Sequence, residues 1–223
     1  MTISLFLQAI GKFFLGVLLV GILIFLPAGT LCFPNGWLLM GLLFLPMFLA
    51  GIVMMLVNPS LLQKRLGAKE RDKEQRLVVA LSGLMFLCGF IVAGLNYRFG
   101  WYTLPKGIVI AASVVFLVAY LLYAEVLREN TYLSRTIEIQ EGQRVIDTGL
   151  YGVVRHPMYG ATLLLFLSMP LVLGSVFSFF LFLAYPFLIA KRIRNEERLL
   201  EKELAGYAEY RKKVKYRLIP FVW

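Results

Sequence analysis

Charged side chains are missing from four long runs of this chain. No Asp, Glu, Lys or Arg occurs from Phe13 to Gln63, from Leu77 to Tyr97, from Gly107 to Ala124, or from His156 to Ala190. An α-helix rises ~1.5 Å per residue, so ~20 apolar residues cross a ~30 Å hydrocarbon layer. The first and last runs are each long enough for a hairpin, and together the four runs predict about six crossings.

Turn chemistry sets the boundaries. The first span is expected over 13–31, and Pro34-Asn35-Gly36 supplies a tight turn. A second span over 37–57 ends at Asn58-Pro59, because the residue before proline is pushed out of helical space. Residues 61–76 carry six basic and three acidic side chains and read as an amphipathic segment along the interface. A third span follows over 77–96, then a short link with Arg98, Trp101, Tyr102 and Lys106, residue types that favour headgroup level. The fourth span covers 107–127. Residues 128–155 form the longest polar stretch. The last apolar block, 157–190, is too long for one crossing, and Pro170 with Gly174-Ser175 breaks it into a hairpin. Its second arm continues as a charged helix, 191–203, before a basic, aromatic tail, 207–217. The fold class expected is all-α: a polytopic transmembrane helical bundle of about 5–6 spans with a cytoplasmic C-terminal helical extension. It reads as one membrane domain, 1–223, with four spans in 1–127 and the cofactor-binding loop, last hairpin and terminal helix in 128–223.

Composition agrees with this pattern. The 223 residues are 60% hydrophobic, and the mean hydropathy is +0.77, more apolar surface than a soluble domain of this size can hide. The net charge of +10 sits beside apolar helices rather than on a soluble face, which points to membrane lipids and away from nucleic acid. With the N-terminus inside, 21 Lys and Arg fall on one side of the membrane and two, Arg98 and Lys106, on the other. That bias predicts cytoplasmic termini. Cys32 and Cys88 lie in apolar runs, lack metal-ligand spacing and read as packed hydrophobic residues. The N-terminal run reads as a retained first helix rather than a cleaved leader.

Chemistry can reside where three features meet on the basic side: the 128–155 loop, the run Arg155-His156-Pro157-Met158-Tyr159, and the charged helix after Ala190. His156 is the one histidine. On spacing alone it reads as a packing or capping residue, with Pro157 at a favoured first helical position. Arg192 and Glu196 are four apart and share a helix face. They read equally as a simple ion pair or as a clamp for a zwitterion. Glu197, Glu201 and Glu203 read as a solvated face. No Rossmann fingerprint, P-loop, paired-histidine zinc motif or serine elbow is present.

The run Asp147-Thr148-Gly149-Leu150-Tyr151-Gly152-Val153-Val154-Arg155-His156-Pro157-Met158-Tyr159, followed by Arg192, Arg194, Glu196-Glu197-Arg198-Leu199-Leu200 and the tail through Ile219-Pro220, resembles the signatures of the isoprenylcysteine carboxyl methyltransferase family. The wider superfamily also holds phospholipid N-methyltransferases and membrane sterol reductases. The resemblance covers about a third of the chain. It implies methyl transfer from S-adenosylmethionine to a lipophilic acceptor, a carboxylate, thiol or amine. By the same resemblance Gln143, Arg144, Val145, Ile146, Tyr151, His156, Pro157, Met158, Tyr159 and Glu196 would contact the cofactor, with Arg192 and His156 catalytic and no metal. The Leu204-Ala205-Gly206 link departs from eukaryotic members and is similar to compact prokaryotic forms, implying a prokaryotic inner membrane. The alternative is an NADPH-dependent membrane sterol or lipid reductase, with Arg192, Arg194 and Arg198 available for the 2′-phosphate. A non-catalytic scaffold or transporter is the third reading. The acceptor and the oligomeric state are not legible from the sequence.

Overall fold

A computed structural model describes residues 3–67, 73–133 and 139–223 of the chain. Its helices are α1 (Ile3–Ala28), α2 (Pro34–Val57), α3 (Pro59–Leu66), α4 (Lys73–Phe99), α5 (Lys106–Glu129), α6 (Pro157–Val172), α7 (Val176–Phe182), α8 (Tyr185–Glu203) and α9 (Tyr207–Lys213), with a 3-10 turn at Gly149–Gly152. Among the described residues there is no strand. The bundle is all-α and polytopic. Five stretches are long and apolar enough to cross a membrane, namely α1, α2, α4, α5 and Val176–Glu203, while α6 is apolar but shorter.

Most boundaries follow the turn chemistry. Asn58 closes α2 and opens α3, its side-chain Oδ1 accepting from the Leu61 N–H at 3.1 Å, with Pro59 in the first turn. Gly29 and Gly174 adopt left-handed φ values of 69° and 74° where α1 and α6 end. Ser175 caps α7 through its hydroxyl. Two features depart from expectation. Within the 61–76 segment α3 ends at Leu66, residues 68–72 lie outside the described residues, and α4 already begins at Lys73, ahead of the span expected from Leu77. The second arm of the last hairpin is itself broken between Phe182 and Tyr185. Pro186, in the first turn of α8, has no N–H to offer to a continuous helix, so the chain restarts there.

Contacts at the two ends of the bundle sort the links. Lys12 Nζ donates to the Leu66 carbonyl (2.8 Å), and Lys64 Nζ donates to Gln140 Oε1 (2.5 Å), so α3 and the 139–156 loop share the end at which α1 begins. At the other end Leu104 N–H donates to the Gly174 carbonyl (3.2 Å), and the Tyr97 hydroxyl donates to the Cys32 carbonyl. Arg98 and Lys106 belong to that second end, opposite Lys12 and Lys64.

The core is filled by Ile24, Leu39, Phe116, Phe182 and Ile193, all fully buried. Leu26, Leu56, Leu121 and Phe187 stay exposed on the outer surface, as a lipid-facing wall permits. Close approach of α1 and α4 depends on Gly94, where a Cβ would sit 2.5 Å from the Ile24 carbonyl oxygen and 3.0 Å from the Ala28 nitrogen. Gly83, on the same helix, has open space around it. Gly94→Ala should therefore destabilise by about 1–3 kcal/mol through overpacking, whereas Gly83→Ala should be neutral or stabilise by up to ~1 kcal/mol. Thermal unfolding of the two variants in detergent checks the contrast, and equal melting temperatures would refute the close packing.

Candidate functional site

At the basic end, four pieces of chain converge: the 139–156 loop, the start of α6, the last three turns of α8, and α9 with the segment after it. Glu197 binds them. Its side chain is 5% exposed, and it accepts from Arg155 Nε (2.8 Å) and Arg217 Nε (2.8 Å) and pairs with His156 Nε2 at 3.2 Å. Arg155 also donates from Nη1 to the Val214 and Lys215 carbonyls, both at 2.7 Å. Two backbone bonds, Arg155 N–H to Tyr216 O and His156 N–H to Arg217 O, zip the tail onto the loop. A carboxylate in such a place needs this many partners, because desolvating an unpaired charge is far too costly.

Beside this cluster lies a cavity of about 870 Å³, its open mouth included. Of the candidate residues, Gln143, Arg144, Val145, Ile146, Tyr151, His156, Met158, Tyr159, Arg192 and Glu196 line it. Pro157 does not. It is buried at the first position of α6, where it starts the helix that presents Met158 and Tyr159. The His156 side chain makes no cap bond and turns to Glu197 instead, so the capping reading is corrected. Arg192 and Glu196 meet through a third group. The Tyr159 hydroxyl donates to Glu196 Oε2 (2.6 Å) and accepts from Arg192 Nε (3.0 Å), and Arg192 Nη1 reaches Gln75 Oε1 at 3.3 Å. Arg194 and Arg198 are exposed and do not line the cavity.

Sequence reasoning missed Glu197 by assigning it to a solvated face. A signal was available: Tyr185, Ile189, Ile193 and Glu197 recur every four residues and form one buried stripe of α8. Tyr207 and Tyr210 also line the cavity. Burial pushes the hydroxyls of Tyr151, Tyr207 and Tyr210 well above the ordinary phenol range, so all three remain protonated donors at neutral pH. Tyr210 donates to the Tyr151 carbonyl at 2.7 Å, and the Tyr151 hydroxyl accepts from Asn130 Nδ2 at 3.0 Å. The Tyr207 hydroxyl is buried without a partner among the described residues.

Residues 108–223, which hold every lining residue of the cavity, match the family model described as "Ergosterol biosynthesis ERG4/ERG24 family". The chain belongs to the ERG4/ERG24 family. Within it, the chain is 35% identical over 91 residues to Delta(14)-sterol reductase TM7SF2 of Mus musculus, a match covering 40% of this chain and 22% of that protein. It is 27% identical over 93 residues to the Delta(14)-sterol reductase of Methylotuvimicrobium alcaliphilum, covering 40% and 22% respectively. The matched segment thus spans about a fifth of either relative.

This membership overturns the resemblance to the isoprenylcysteine carboxyl methyltransferases, and with it the methyltransferase activity and the S-adenosylmethionine cofactor. The reason lies in what the motifs encode. A glycine turn, a histidine-proline helix start and an arginine-glutamate helix specify a polar cavity at the membrane edge, and neither the bond broken nor the cofactor is written in them.

Removing Glu197 should disassemble the site. Glu197→Ala leaves Arg155 and His156 buried without their carboxylate, an expected loss of about 3–5 kcal/mol. The tail after Val214 should then become sensitive to limited proteolysis. A protease-resistant tail in the variant would show that the tail is held elsewhere.

Proposed function

We propose that this chain is an integral membrane reductase that saturates a carbon–carbon double bond in a sterol-like lipid, using NADPH. The observation that carries this reading is the coincidence of cavity and family: the whole cavity is built from the family-matched segment. Such a reaction brings a water-soluble cofactor and a membrane lipid together, and the cavity lies at the basic end of the bundle. A predominance of basic side chains on this side supports a cytoplasmic mouth and cytoplasmic termini.

The lining residues fit the cofactor chemically. Arg144 and Arg192 are guanidinium groups on the cavity wall, suited to phosphate oxygens. The loop 143–146 supplies backbone and side-chain edges beside them. The unpartnered Tyr207 hydroxyl is a buried donor awaiting an acceptor. Arg144 takes over the phosphate role that Arg194 and Arg198 cannot fill from outside the cavity.

When bound, the dihydronicotinamide supplies a hydride to one alkene carbon. The other carbon needs a proton, and the chain holds one on the Tyr159 hydroxyl. That oxygen already accepts from Arg192 Nε, whose fixed positive charge would offset part of the repulsion between Glu196 and the phenolate left behind. Glu196, bonded to the same hydroxyl, is placed to return a proton from solvent. His156, pinned by Glu197, shapes the wall on which Tyr159 rests, their rings 5.8 Å apart. Leu133, Met158, Leu199 and Leu200 give the otherwise polar cavity an apolar stretch of wall against which a lipid could lie.

Purified protein in lipid nanodiscs should consume NADPH in proportion to saturated product when given a Delta(14)-unsaturated sterol. Tyr159→Phe should keep NADPH binding but lower kcat by about 100-fold, the usual size of a general-acid contribution. Wild-type protein that neither binds NADPH nor changes such sterols would sink the reading.

A further inference from the structure

Tyr207 is the polar group for which the reductase scheme has found no task beyond being available. It is 3% exposed, and its hydroxyl lacks a hydrogen-bond partner among the described residues. Buried polar groups are nearly always paired, so an exception calls for a reason. Nothing in the local packing obliges the residue to be tyrosine. The ring sits among Leu204, Tyr210 and Val214, where phenylalanine would fill the same space. Its position is also held firmly. Gly206, at φ 83°, turns the chain from α8 into α9, and the Tyr210 ring packs 5.8 Å away.

The surroundings select the ligand group. Tyr207 and Glu196 line one cavity. Glu196 accepts from the Tyr159 hydroxyl at Oε2, and a carboxylate has acceptor capacity for a further N–H. The carboxylates of Glu197 and Glu196 outweigh the Arg155 guanidinium around the Tyr207 hydroxyl, which disfavours a phosphate at this spot. A protonated hydroxyl beside a carboxylate suits a neutral group that accepts from one and donates to the other. A primary carboxamide does both within one plane: its carbonyl accepts and its N–H donates.

We propose that Tyr207 and Glu196 read the carboxamide of the nicotinamide ring, Tyr207 donating to the C=O and Glu196 accepting from the N–H. This rests on the NADPH reading above and adds to it a rotational clamp on the reactive ring. It makes Tyr207 a ligand-orienting residue rather than a packing one.

Two measurements on the full-length protein test it. The first compares wild type with Tyr207→Phe for NADPH affinity and for melting temperature without ligand. The unliganded melting temperature should be unchanged or slightly raised, because the hydroxyl removed has no partner. The NADPH dissociation constant should rise about tenfold, the effect of one buried hydrogen bond. Unaltered affinity, or a lowered melting temperature with unaltered affinity, would overturn the proposal while leaving the reductase reading intact. The second replaces NADPH by its acetylpyridine analogue, which keeps the carbonyl and lacks the amide N–H. Wild type should bind the analogue about tenfold more weakly, and equal binding would show that the group recognised is not the carboxamide. If wild type binds neither probe, both the inference and the reading beneath it fall.

Discussion

One buried carboxylate sets the terms for everything at the basic end of this bundle. Glu197 sits on a helix that rises out of the apolar core, and two arginines and a histidine from two other segments close around it. Each of those segments would otherwise be an independent loop or tail. In a medium of low polarity the attraction is strong, and so is the cost of separating the partners. The loop and tail therefore have one shared arrangement. The cavity between them is preformed, its walls held by the same charges that would be expensive to expose.

From that constraint a division of labour follows along α8. Residues at every fourth position from Tyr185 to Glu197 turn inward and anchor the helix. The neighbouring Arg192 and Glu196 are left partly accessible on the cavity side, with the Tyr159 hydroxyl between them. One helix thus supplies both the clamp that stabilises the site and the charged groups that line it. The same economy explains why related membrane families with different cofactors carry look-alike motifs: much of the motif is scaffold.

The spans were legible because lipid imposes a simple demand, namely a run of uncharged residues closed by proline, glycine or asparagine. Asn58-Pro59 and Gly174-Ser175 behave as local rules require. The restart at Tyr185 was not legible, since a proline among apolar residues reads equally as a tolerated kink, as Pro46 within α2 in fact is. At the site, most candidate residues line the cavity because they lie close together along two short stretches. Glu197 was misjudged because charge suggested solvent, and only its partners Arg155 and Arg217, 42 and 20 residues away, make burial affordable. Tyr207 carried no sequence signal at all; an orphan hydroxyl is a property of the folded chain. The activity was misread for a different reason: the resemblance rested on short motifs over about a third of the chain, and the decision came from the longer match over 108–223.

The brevity of α6 sets the depth of the chemistry. It has 16 residues against 24 in its neighbour α5, and the two helices are flush at the far end, where Leu104 bonds Gly174. At ~1.5 Å per residue, α6 stops about 12 Å short of the opposite rim. His156 and Tyr159 consequently sit below the end of α5, which runs on to Glu129. On the proposed reading, a hydrophobic substrate need not be lifted into water to react; it is the soluble partner that must descend.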